Sequence, residues 1–187
     1  MGKIRINREG KIKASLSLLL FFYAFLIGIW SNNITIIFAM FFSAVGDMLL
    51  LLNRGCFNEE KKETFNYGIL AFSMSHLAYM YAMMIGLFSN ILICIVWVII
   101  VALSILIKSK YKSRTVIFSL YGIIILLNFV NSFNFSIIAT TGMFLFILSD
   151  ITVAMSKIRQ KRTMLSQIII WTTYILAQGC VLTSFLL

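Results

Sequence analysis

Proline is absent from this chain, histidine occurs once, and acidic residues number six in 187. Each shortage excludes something. Without proline, no helix carries a proline kink. One histidine and three cysteines (Cys56, Cys94 and Cys180) supply neither the number nor the spacing of ligands that a zinc site needs. No metal and no cofactor is expected. The cysteines read as free thiols with no disulfide. No G-x-S-x-G segment occurs, which argues against a serine hydrolase. Charged residues make up only 12%, too few to cover the surface of a soluble domain of this length.

Hydrophobic residues fill that space. They make up 61% of the chain, and the mean hydropathy is +0.99. They come in long uncharged runs, with neither the alternation of a strand nor the stripe of a soluble helix. Uncharged runs of about 18 residues read as membrane spans. The fold class is therefore all-α, a polytopic membrane helical bundle with seven predicted transmembrane helices. The spans cover about Ala14 to Trp30, Ile34 to Leu52, Asn66 to Leu87, Ile91 to Ile107, Thr115 to Val130, Phe135 to Ser156 and Met164 to Leu186. Together they form one transmembrane domain behind a basic tail over 1–13. No small-residue cleavage site follows Trp30, so the first span reads as retained.

The loops set the orientation. All 16 Lys and Arg residues precede the first span or lie in the second–third, fourth–fifth and sixth–seventh loops. The remaining connections, Ser31 to Asn33, Phe88 to Asn90 and Asn131 to Asn134, contain none. Basic residues on every second loop follow the positive-inside pattern, which puts the N-terminus in the cytoplasm and the C-terminus outside. The +10 net charge is therefore a topology signal that also touches anionic lipid headgroups, and no nucleic acid partner is expected.

Two of the six acidic residues, Asp47 and Asp150, fall inside predicted spans. A carboxylate there costs roughly 2.5–3.5 kcal/mol on insertion scales. No Lys or Arg lies within a span. Such an acid is either a hydrogen-bonding link between helices or part of a functional site, and function is the default reading. Asp47 lies six residues before Asn53, and Asp150 seven before Lys157. At about 1.5 Å per residue, both sit roughly 9–10 Å inside the cytoplasmic boundary, on parallel helices. Two carboxyl groups sharing one site do not both ionise readily, which leaves one acid and one carboxylate.

Other polar residues share these depths. His76 lies about ten residues into the third span, with Ser73 and Tyr79 on its helical face. A buried histidine is often a packing residue, and its depth near the aspartates favours a site. Gln167, Trp171, Tyr174 and Gln178 form one stripe on the seventh span, either a hydrogen-bonding seam or a site wall. Asn128 and Asn131 read as anchors near an outer end.

These residues carry a family likeness. Gly46-Asp47-Met48-Leu49-Leu50 resembles the G-D-x-x-L motif of the YhhN family, the lysoplasmalogenases. Gly68 to Tyr79 resembles that family's glycine, phenylalanine, histidine and tyrosine segment. Gly142 to Asp150 resembles its second acidic motif, and Tyr174 and Gln178 its late tyrosine and glutamine. The segments occur in the family's order, from about Lys13 to the C-terminus. Family members typically have eight spans, where seven are predicted here, and Ala14 follows Lys13 where a proline is usual.

The resemblance implies hydrolysis of the vinyl ether bond of a lysophospholipid to a fatty aldehyde and a glycerophospho-ethanolamine or -choline. It implies Asp47, Asp150 and His76 in catalysis, with Tyr79, Ser149, Tyr174 and Gln178 in substrate binding. Membrane lipids are the expected surroundings. The same buried acids would also serve a proton-coupled transporter, although no clear inverted repeat or glycine-broken span is present. A non-catalytic membrane protein would use them as structural glue.

The orientation is directly testable. A reporter active only in the cytoplasm is expected to work when inserted between Arg54 and Lys62, and to be silent when fused after Leu187. Activity at both places would overturn the seven-span reading.

Overall fold

The computed structural model describes residues 8–55, 62–83, 113–158 and 163–187. Among them there are six helices and no strands: α1 (Arg8–Trp30), α2 (Ile34–Gly55), α3 (Lys62–Ala82), α4 (Ser113–Ser132), α5 (Ile137–Ile158) and α6 (Met164–Thr183). The predicted fourth span, Cys56 and Cys94 lie outside the described residues.

The helices follow the apolar runs but overrun them on the basic side. α1 starts at Arg8, inside the expected tail, and α2 continues to Gly55. Lys and Arg are good helix formers whose long stems extend along the apolar surface, so charge does not end these helices. The uncharged connections end sharply instead. Asn32, in the left-handed region at φ 50°, closes α1. The N–H groups of Asn32 and Asn33 return to the carbonyls of Ile29 and Gly28, a Schellman ending. The Asn33 side chain then accepts from the Thr35 N–H and caps α2. Ser136 caps α5 in the same way through the Ala139 N–H, and Thr163 caps α6 in a capping box with Ser166.

The all-α class is as expected, but the count of seven spans is not shown by the described residues. Among the described residues, Ile137–Ser156 and Met164–Thr183 are long and apolar enough to cross a membrane. Ala14–Trp30, Ile34–Leu50 and Ser119–Ser132 are shorter apolar stretches. Charged ends shorten these runs, and Ser73, Ser75 and His76 dilute the apolar character of α3.

Packing closes the six helices into a ring in chain order, with α6 returning to α1. The larger apolar side chains face outwards. Leu19 and Ile29 of α1 are 64% and 62% exposed, while Ser17, Ala24 and Ile27 are buried. On α2, Phe38 and Phe41 face out, and Ala39, Met40, Ser43 and Asp47 face in. Polar residues turned inwards beside an apolar core, with many large apolar side chains left outside, is the pattern of a bundle solvated by hydrocarbon.

Close helix approach depends on glycine at three contacts, the first being Gly28 of α1, where a Cβ would lie 2.5 Å from Ile37 Cγ1 of α2. A Cβ on Gly46 would lie 2.8 Å from the Phe72 ring. One on Gly142 would lie 2.7 Å from Val181 Cγ2 and 2.9 Å from the Ala177 carbonyl oxygen. Backbone cannot yield as a side-chain tip can. Gly142→Ala is therefore expected to pry α5 from α6 and destabilise the protein by about 1–3 kcal/mol, seen as a lower unfolding temperature in detergent. An unchanged temperature would mean that the two helices are not held this closely.

Candidate functional site in the bundle interior

Four helices build the first half of the site. On α2, Met40, Ser43 and Asp47 fall at i, i+3 and i+7 and face inwards. Tyr174 and Gln178, one turn apart, face them from α6, and Tyr79 reaches in from α3. Asp47 Oδ2 accepts two hydroxyl hydrogen bonds, from Ser17 of α1 at 2.6 Å and from Tyr174 at 2.8 Å. The partners of Tyr174 form a directed chain. The Tyr79 hydroxyl donates to Gln178 Oε1 at 2.7 Å, and Gln178 Nε2 donates to Ser43 Oγ at 2.6 Å. Ser43 and Tyr174 lie 2.8 Å apart, and Gln178 Nε2 also reaches the Tyr174 oxygen at 3.2 Å. With the Tyr174 proton directed to Asp47, Ser43 donates to Tyr174. Every hydroxyl proton in the chain then points towards the carboxylate.

The second half comes from α4 and α5. The Tyr121 hydroxyl donates to Asp150 Oδ2 at 2.9 Å. Beside Asp150, Ser149 Oγ donates to the Ile170 carbonyl at 3.2 Å, linking α5 to α6. Asp47 and Asp150 meet at one cavity of about 350 Å³, within the usual range of small-ligand sites. Tyr121, Ser149, Trp171 and Tyr174 also border it, and the rest of its wall is almost entirely apolar, including Phe72, Ile125, Phe146 and Ile147.

A model of the YhhN family matches residues 11–185 of the chain. The chain belongs to the YhhN family. No curated protein and no solved structure matches it. Membership, together with the two helices long enough to span, marks it as a membrane protein.

In this YhhN chain the seven residues singled out from sequence divide into two groups. Asp47, Asp150, Ser149 and Tyr174 lie on the cavity wall. His76, Tyr79 and Gln178 do not border it. Tyr79 and Gln178 stand behind Tyr174 as the start of the donor chain. His76 is fully buried, with its ring against Phe146 at 5.0 Å and Tyr121 at 5.8 Å. Phe146 in turn packs on Tyr174 at 5.8 Å.

Other participants were not singled out from sequence. Asn128 is not an outer anchor. It is fully buried and donates to the His76 carbonyl at 3.0 Å, with Nδ2 3.3 Å from His76 Nδ1. Tyr121 and Asn128 fall at i and i+7 on α4, so a search for polar residues on one face would have found both. Ser43 lies one turn before Asp47 and carried the same signal. Ser17 carried none, because a lone serine in an apolar run is commonplace.

The donor chain predicts coupling. Tyr79→Phe and Tyr174→Phe are each expected to destabilise by about 1 kcal/mol, as interhelical hydrogen bonds in membranes do. Because both act through Gln178, the double variant should depart from additivity by more than the roughly 0.5 kcal/mol tolerated for independent sites. A double-mutant cycle measured by unfolding in detergent decides it, and strict additivity would mean that the chain is not a unit.

Proposed function

We propose that this chain is an integral membrane hydrolase that cleaves the vinyl ether bond of alkenyl lysophospholipids, spanning the membrane seven times with its N-terminus in the cytoplasm. One observation carries the reading: two carboxyl groups on non-adjacent helices border a single apolar cavity. The family resemblance of the surrounding motifs supplies the substrate class.

The reaction needs a proton donor, a nearby negative charge and one water. Asp150 fits the donor. Its environment is apolar, and Tyr121 holds one of its oxygens, leaving the other for the proton. Asp47 fits the carboxylate, since two hydroxyl donors converge on one of its oxygens and hydrogen bonds of that sense favour the ionised form. The Asp150 proton passes to the outer vinyl carbon, and the carbon bonded to oxygen becomes an oxocarbenium ion. Asp47 stabilises that ion and takes a proton from the attacking water. The hemiacetal formed then collapses: Asp47 gives the proton it took from water to the departing glycerol oxygen, the hemiacetal hydroxyl returns a proton to Asp150, and the fatty aldehyde is released. The sum is one vinyl ether plus one water giving one aldehyde and one alcohol, with both carboxyl groups restored. The chemistry parallels that of the two-carboxylate glycosidases. His76 fixes the far side of Tyr121 and Phe146 in this scheme.

Purified wild-type protein in detergent is expected to release aldehyde from an alkenyl lysophospholipid. Asp47→Asn and Asp150→Asn should each lose at least about a hundredfold in rate, the usual contribution of a positioned acid or base. No turnover by folded, monodisperse wild type would remove this substrate. Uptake driven by a proton gradient in vesicles would then favour transport.

A further inference from the structure

The carboxyl groups account for the inner wall of the cavity and leave its outer wall unexplained. Leu126 of α4 and Ile151 of α5 both border the cavity, yet they are 56% and 54% exposed. Side chains that line a chamber and also face outwards mark the place where it reaches the flank of the bundle. In a membrane, that flank meets hydrocarbon. Gly122 lies one turn before Leu126, next to Tyr121, and also borders the cavity.

Packing does not explain a glycine there. Gly46 and Gly142 lie where a Cβ would collide with a neighbouring helix, whereas a Cβ at Gly122 would meet nothing within 4 Å. Gly179 is equally open but does not border the cavity. Glycine is a poor helix former, so local structure does not favour it either. What its missing side chain provides is empty space in the cavity wall, beside the Tyr121–Asp150 pair.

We propose that the gap between α4 and α5 is a lateral entrance for a single lipid hydrocarbon chain, and that Gly122 sets its width. The occupant follows from the surroundings. The entrance is walled by Ile125, Leu126, Ile147 and Ile151, opens on the apolar flank, and leads to the two carboxyl groups. A chain moving from the bilayer into such a slot exchanges one hydrocarbon environment for another, so burial alone gives little preference and fit decides which chain is held. Only the identity of that chain, an alkenyl ether, rests on the hydrolase reading.

The test separates the two ideas. Trp171 borders the cavity and remains the sole tryptophan after Trp30→Phe and Trp97→Phe. A saturated alkyl lysophospholipid brominated along its chain resists cleavage and quenches tryptophan on contact. Saturable quenching is expected in detergent. Gly122→Leu, whose side chain would occupy the slot and clash with the lipid chain, should weaken it about tenfold or more, with Gly122→Ala falling between. The ratio of aldehyde release from long-chain over short-chain alkenyl substrates should fall in the same order. Absence of saturable quenching in the wild type, or quenching unmoved by Gly122→Leu in folded protein, overturns the entrance whatever the activity. Quenching that behaves as expected without any aldehyde release keeps the entrance and removes the hydrolase.

Discussion

Much of the interior depends on how Asp47 is accommodated. A carboxylate in a low-dielectric bundle is tolerated only if hydrogen bonds replace the water it has lost. Here the replacements come from two other helices, Ser17 of α1 and Tyr174 of α6. The same oxygen therefore ties α1 and α6 to α2. Tyr174 gives its proton to Asp47 while its own oxygen accepts from Ser43 and Gln178, and Gln178 is in turn held by Tyr79 of α3. Satisfying one group recruits four helices.

The ring supports this arrangement by an economy particular to lipid. Large apolar side chains gain little by turning inwards when the solvent is hydrocarbon, so polar residues such as Ser17, Ser43 and Asp47 share the interior with an apolar core of Ile36, Met40, Met143 and Phe146. Gly46 lets the Phe72 ring of α3 close on α2, and Gly142 lets α5 approach the α6 backbone at Ala177. The Tyr121–Asp150 pair is simpler, with one donor and an apolar wall. The contrast between a saturated carboxylate and a sparsely held carboxyl is what a proton-transfer reaction needs.

Legibility from sequence followed the rarity of each residue. Asp47 and Asp150 stood out because an acid inside a span is costly, and both line the cavity. Tyr174 and Gln178 were visible as a stripe, but a stripe does not say that one residue borders the chamber while the other stands behind it. Tyr121 and Ser17 went unnoticed, and Asn128 was read only as an anchor, because hydroxyl and amide groups are cheap enough in spans to be common. On the basic side the predicted spans stop short of the helices, at Ala14 where α1 begins at Arg8 and at Leu52 where α2 continues to Gly55, because charge marks the membrane boundary and not the end of the hydrogen-bonded ladder.

Composition and charge placement by themselves determined that this chain is helical and belongs in a membrane, since too few polar groups exist to cover a soluble surface and unpaired backbone cannot stand in lipid. The ordered motifs determined the family. Only the tertiary structure decided that the two acids share one cavity, that their hydrogen bonding differs, and that Gly122 opens its wall. Those facts depend on which helices become neighbours and on how each is rotated, and periodicity within one helix does not encode its partner.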